Sequence, residues 1–254
     1  MTESESPFSI ERLAHSPDAL KVFIALLLLL CLLGVLQFWT QRKKGDSVLL
    51  VGACGAGKTT LFLQLRDGTV HQGTVASMVE NVDAVQLPAE KSGKKCSVRM
   101  VDVPGHPRVR SRFEQYADRA CGIIFVVDAV DFLPHKTEIA EQLYEVLTNA
   151  AVFKRRLPLL LACNKADQGA RAHTVDFLRR RLEREVEALR GTRDTLGGEA
   201  GGQRGSFALA RPGQAFSFDA QARGGGPRVS AGALSALTGD VTSVTEFVRA
   251  CAGT

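Results

Sequence analysis

The stretch "SVLLVGACGAGKTTLFLQL", residues 47–65, decides the fold. Ser47 to Val51 form an apolar run of strand length. Gly52, Gly55 and Gly57 follow, and Lys58, Thr59 and Thr60 open a helical run. Gly52 to Thr59 fit the spacing GxxxxGK[ST]. Glycines let backbone N–H groups turn inward around an anion. The lysine adds a point charge for β- and γ-phosphates, and the helix N-terminus adds partial positive charge. The Thr59 hydroxyl is the Mg²⁺ ligand of this pattern. A strand entering the loop and a helix leaving it predict a doubly wound, mostly parallel α/β domain of the P-loop class. Such a loop holds a nucleoside tri- or diphosphate without choosing the base.

The base is chosen about a hundred residues later, in "LPLLLACNKAD", residues 157–167. An apolar strand, Leu157–Cys163, ends at Asn164, Lys165, Ala166 and Asp167, and open α/β sheets bind ligands outside the carboxyl ends of their strands. A carboxylate is acceptor-only and takes two hydrogen bonds from adjacent N–H donors. Guanine offers such a pair on its N1/N2 edge and adenine does not. Asp167 is therefore expected to read guanine, Asn164 to tie this loop to the phosphate loop, and the Lys165 stem to cover the base. Ser230-Ala231-Gly232 resembles the SAx loop that guanine-binding proteins place beside the base, although Val229 is the lone large apolar residue of the strand expected before it. The expected ligands are GTP or GDP with Mg²⁺.

Between these motifs lies "SVRMVDVPGHP", residues 97–107, a strand running into DxxG. Asp102 is expected to hold Mg²⁺ through a water, and the Gly105 N–H to contact the γ-phosphate. His106 stands where Ras-type proteins carry a glutamine that orients the attacking water. Two readings stay open: His106 positions that water, or it rests away and hydrolysis is slow. Whether the chain is an enzyme in the full sense stays open with it. The first switch segment falls between Asp67 and Asn81, with Thr74 as the candidate Mg²⁺ and γ-phosphate ligand and Ser77 as the alternative.

The scaffold residues fit the same architecture. "CGIIFVVDA", residues 121–129, reads as a buried central strand. Ile139, Leu143, Val146 and Leu147 share one helical face, as do Leu178, Leu182, Val186 and Leu189 in a helix that Gly191 is expected to stop. Arg179–Arg181 read as a solvated face with i,i+4 Arg–Glu pairs. Residues 191–228 are rich in glycine and arginine and read as a long, partly disordered loop.

Upstream, "VFIALLLLLCLLGVLQFW", residues 22–39, carries no charge. Its helical length of roughly 27 Å matches a bilayer's hydrocarbon core. Phe38 and Trp39 fall where an aromatic belt lies, and Arg42, Lys43 and Lys44 follow. Positive charge favours the cytosolic side. The expected layout is a short lumenal segment at 1–21, a transmembrane helix at 22–39, a basic linker at 40–46, and a cytosolic nucleotide-binding domain at 47–254. A cleaved signal peptide would have its basic residues on the other flank. Residues 1–21 balance to −2, so with the whole chain at +5 the remainder carries +7. The six cysteines show no metal spacing and read as reduced thiols.

Taken together, the uncharged span, GACGAGKTT, DVPGH, NKAD and SAG resemble the family of signal recognition particle receptor β subunits, which are Arf/Sar-like small GTPases. The strings "IIFVVDA", "LLACNKAD" and "LEREVEALRGTR" are also similar to that family. The resemblance implies a GTP-binding subunit tethered to the endoplasmic reticulum by one span. It implies that the GTP form grips the N-terminal domain of the receptor α subunit, with the ribosome and targeting complex reached indirectly. No sequence-specific nucleic-acid binding is implied. The alternative is an autonomous Arf/Sar-like GTPase of vesicle traffic, against which the permanent span argues, because such proteins use reversible anchors. The chain departs from the family pattern at Ala76 and Val79 in the first switch segment and in the strand before Ser230.

Overall fold

The structure, a computed structural model, describes residues 21, 24–32, 45–69, 79–87, 96–105, 112–196, 209 and 214–253. The chain divides into two compact units, Met1–Lys44 and Gly45–Thr254. In the first, residues 24–32 are helical and exposed, with Leu28 and Leu30 each leaving more than 60% of their surface uncovered. Among the described residues no helix is long and apolar enough to cross a membrane. The rest of the expected span at 22–39 lies outside them.

The second unit is built on a six-stranded sheet. Its strands are β1 (Ser47–Val51), β2 (Asn81–Leu87), β3 (Cys96–Asp102), β4 (Ala120–Asp128), β5 (Leu159–Asn164) and β6 (Val229–Ala233). The order is β2-β3-β1-β4-β5-β6; β2 runs antiparallel at one edge and the other pairings are parallel. The helices are α1 (Lys58–Asp67), α2 (Arg112–Ala117), α3 (Phe132–Thr148), α4 (Ala150–Arg155), α5 (Val175–Leu196), α6 (Phe218–Arg223) and α7 (Thr242–Ala252).

Both faces of the sheet are covered, which is why its central strands are apolar throughout rather than alternating. Leu49 and Val51 of β1 join Ile123, Phe125, Leu159 and Leu161 in one core with Leu143, Leu147, Leu178 and Leu182 of α3 and α5. Val48 and Leu50 turn to the other core, with Ile124, Leu61 and Phe62 of α1, and Val244 and Val248 of α7. Burying such a side chain fully contributes about 1.5–3 kcal/mol. The chain steps from β1 to neighbours on either side, so the carboxyl ends of β1, β3, β4 and β5 open onto one crevice.

Within residues 191–228 the described parts differ from the expected loop at two places, while 197–208 and 210–213 lie outside the described residues. Helix α5 does not stop at Gly191 but runs to Leu196. A glycine inside a helix costs only about 1 kcal/mol, too little to end one whose Leu178, Leu182 and Val186 are fully buried. The Thr192 hydroxyl continues the turn by donating to Ala188 O (3.0 Å). Residues 214–228 are not a loose loop either. Glu187 and Glu183 of α5 accept the Phe216 and Phe218 N–H groups at 2.9 and 3.0 Å. Arg190 donates to Gln214 O, and Arg179 pairs with Asp219. Phe216 and Phe218 are buried edge to face in the α3/α5 core, and Ser217 caps α6 by accepting from Ala220 N. Arg179 and Arg181 do make i,i+4 contacts, with Glu183 and Glu185.

Candidate nucleotide and metal site

The loop between β1 and α1 turns back through Gly57, whose φ of 90° lies in the left-handed region. A Cβ there would come within 2.3 Å of Asn164 Nδ2. Gly57 is therefore required both by its conformation and by the close approach of β5. As the N-cap of α1 it supplies no side-chain hydrogen bond of its own. Gly52 and Gly55 complete the bend.

Lys58 folds over this loop. Its Nζ donates to Ala53 O at 2.8 Å, and the residue is 6% exposed. Burial pushes the ammonium below its ordinary range, and the nearby Asp102 carboxylate works against that. An ammonium with a neutral carbonyl as its acceptor is electrostatically under-compensated, the condition that a phosphate relieves. Gly105 sits against the same group: a Cβ there would lie 2.6 Å from both Lys58 Nζ and Gly52 O. Any side chain at 105 would thus displace the lysine or the loop.

Asp102 ends β3 beneath the loop. Its Oδ2 accepts from the Thr59 hydroxyl (2.8 Å) and from Asn81 Nδ2 (3.1 Å). Its Oδ1 is buried without a hydrogen-bond partner among the described residues. Burial pushes the carboxyl up, opposed by Thr59, Asn81 and Lys58. A hydroxyl beside a carboxylate with one orphaned oxygen is a hard, all-oxygen donor set, which fits Mg²⁺. Among the described residues no group of three or more His, Cys, Asp or Glu could hold a metal. A cation here would need substrate oxygens or water to complete its shell, as is usual for Mg²⁺. Thr74, Ser77 and His106 lie outside the described residues.

The base-side loops meet across β5. Asn164 Nδ2 donates to Ala56 O of the phosphate loop (2.8 Å), and its Oδ1 accepts from Ala236 N (3.0 Å). Lys165 takes a left-handed turn at φ 69° and sends its ammonium to Asp128 Oδ2. Asp128 in turn accepts from the Val130 and Asp131 N–H groups. Asp167 is exposed in the short 3₁₀ turn Ala166–Arg171, and its Oδ1 accepts from the Ser235 hydroxyl at 2.6 Å.

That contact corrects the placement of the SAx loop. Ser230 and Ala231 lie inside β6, in register with Leu160 and Leu161, and the Ser230 hydroxyl faces Leu159 O at 3.4 Å. Ser230 is four residues short of the Asn164 level, roughly 13 Å away along the strand. The loop past the strand end is Ser235-Ala236-Leu237. The sequence contains two Ser-Ala pairs, and β6 consumes the first. As an edge strand hydrogen-bonded on one side it needs no continuous apolar run, so "VSAGA" suffices. Counting the residues needed to pair Leu159–Cys163 would have selected Ser235. Asn81 was also missed, because nothing in the sequence marks a residue that acts across strands.

Phosphate loop, DxxG aspartate, NKxD turn and SAx loop at the carboxyl edge of this sheet define the small GTPase fold. The model of the family "Signal recognition particle receptor beta subunit" matches residues 43–223, and the chain belongs to that family. It is 33% identical to the mouse signal recognition particle receptor subunit β over 181 residues, 70% of this chain. The match spans 65% of the mouse protein's length. The structure of the mammalian signal recognition particle receptor superposes with a TM-score of 0.68 at 28% identity, covering 81% of this chain and 99% of that one. A signal recognition particle receptor SRβ–GTP/SRX complex from Chaetomium thermophilum superposes with a TM-score of 0.64 at 22% identity, covering 82% and 99%, and so shares the fold.

Proposed function

We propose that this chain is the GTP-binding subunit of a signal recognition particle receptor, holding the receptor α subunit at the endoplasmic reticulum membrane during co-translational targeting. One observation carries the reading: Asn164 joins the phosphate loop at Ala56 to the loop after β6 at Ala236, while Ser235 holds Asp167 beside them. The arrangement is built for one ligand with phosphates at one end and a guanine edge at the other.

In this reading Lys58 exchanges Ala53 O for phosphate oxygens, and Gly52, Gly55, Gly57, Thr59 and Thr60 line the phosphates. Thr59 and Asp102 hold Mg²⁺, Asp102 through a water, with Thr74 completing the shell. Gly105 meets the γ-phosphate. Asp167 binds N1 and N2 of guanine, the Lys165 stem covers the base, and the Ala236 loop, not Ser230 or Ala231, lies beside it. His106 either positions the attacking water or leaves hydrolysis slow; the two differ in single-turnover rate.

Residues 22–39 would span the membrane, with the domain after Trp39 in the cytosol. Their lack of charge, the Arg42–Lys44 cluster and the exposed leucines of residues 24–32 support this. A partner that reads the GTP state fits the family and the relative solved with GTP and SRX. Nucleotide competition on the purified chain tests the site: GTP and GDP should displace a fluorescent GDP analogue, and ATP should not. Equal displacement by ATP would remove the base assignment.

A further inference from the structure

We propose that Asn81 is a positioning residue of the metal site, fixing the Asp102 carboxylate so that its orphaned oxygen faces the cation; this rests on the reading of the site given above.

Asn81 and Asp102 are directly opposite each other in the antiparallel β2/β3 pair. Opposed residues send their side chains to the same face of a sheet at close range. Asn81 Nδ2 donates to Asp102 Oδ2 at 3.1 Å, and Thr59 donates to that same oxygen at 2.8 Å. Two donors on one oxygen set the rotation of the carboxylate. Oδ1 is then left buried and unpartnered among the described residues, at a cost that persists only if something else uses it. A carboxamide suits this task because it donates without adding charge, leaving the full anion for the cation.

Asn81 is itself held. The preceding residue, Glu80, takes the Arg112 guanidinium at Oε2 and the Tyr116 hydroxyl at Oε1 (3.2 Å), both from α2. The start of β2 is therefore pinned to α2 on one side and to Asp102 on the other. Outer-shell hydrogen bonds of this kind orient a ligating group, and their removal typically costs about 10–100-fold in metal affinity.

The test is the Mg²⁺ dependence of GDP release. The full chain is loaded with a fluorescent GDP analogue, and release is followed over a Mg²⁺ titration and in EDTA. For Asn81→Ala the Mg²⁺ concentration that half-maximally retains nucleotide should rise roughly 10-fold or more, with release in EDTA unchanged. Asn81→Ser, which keeps a donor, should recover part of the shift. Asn81→Asp, which sets a second carboxylate against Asp102, should lose more than alanine. Comparing Ser with Asp keeps the test decisive even if the alanine variant folds poorly, since both substitutes are small and polar. An unshifted Mg²⁺ titration in Asn81→Ala, equal acceleration with and without Mg²⁺, or matching behaviour of Ser and Asp would overturn the assignment. Failure of the unmutated chain to bind guanine nucleotide would instead sink the reading of the site as a whole.

Discussion

The Ser235 hydroxyl donates to Oδ1 of Asp167 across 2.6 Å, joining turns from two neighbouring strands. Ser235 also accepts from Thr238 N at 3.1 Å, so its hydroxyl is fixed at both ends. The exposed carboxylate is thereby aimed before any ligand arrives, which lowers the ordering cost of binding.

Asp167→Asn should therefore lower GTP affinity and favour XTP. Two hydrogen bonds to a charged acceptor are each worth about 1.5–3 kcal/mol, so the change in the GTP/XTP preference should be roughly 10²–10⁴-fold. Competition binding of the two nucleotides measures it. An unchanged ratio would mean that Asp167 does not read the base.

Ser235→Ala should weaken GTP binding by roughly 10–100-fold, the scale of one lost hydrogen bond to a charged acceptor, about 1.5–3 kcal/mol. Ser230→Ala should leave it unaltered, since that hydroxyl reaches Leu159 O instead. The same titration run on both variants separates the two Ser-Ala pairs, and the reverse ranking would restore Ser230 to the site.

Cys54 lies exposed in the phosphate loop, whereas burial pushes the Cys163 thiol up to about 12. The thiolate is the reactive form. At neutral pH a maleimide should label Cys54 rapidly and Cys163 hardly at all, and saturating GTP with Mg²⁺ should slow labelling at Cys54. Peptide mapping after timed labelling gives both rates; equal rates with and without nucleotide would place the phosphates elsewhere.

Asp128 sets a pH dependence. Burial alone would raise its carboxyl, but the Lys165 ammonium and the Val130 and Asp131 N–H groups together hold it below its ordinary 3.8. A depressed carboxylate stabilises the fold above its unfolded value, and that contribution is lost as pH falls through the lower folded value. Asp128→Asn should cost about 1–3 kcal/mol at neutral pH and lose stability less steeply below about pH 4. Urea midpoints from pH 6 to 2 for both proteins show whether the two curves converge in acid, as expected, or stay parallel.

The parts of this molecule that were legible in sequence share a physical cause. Val48–Val51 and Ile123–Val127 are buried on both faces, so their sequences are apolar without interruption. Asp102 and Asn164 end strands, Lys58 opens the helix after β1 and Asp167 lies in the turn after β5, so spacing along the chain translates directly into position. What escaped depends on contacts between elements far apart in the sequence. Ser235 was hidden behind Ser230 because an edge strand of small residues looks like a turn. Residues 214–228 looked loose because their order comes from Glu183 and Glu187, which hold the Phe218 and Phe216 amides from another helix. Asn81 has meaning only through its register with Asp102.

If guanine nucleotide in this site governs the grip on a receptor α subunit, the two nucleotide states must differ in affinity for it. The direct test is a titration of the α-subunit N-terminal domain against residues 45–254 loaded in turn with GTP and GDP, both with Mg²⁺. Binding should be at least 10-fold tighter with GTP, the range of an ordinary allosteric coupling of about 1–3 kcal/mol. The preference should disappear in Lys58→Ala. Equal affinity in the two nucleotide states, or none in either, would contradict a GTP-controlled grip.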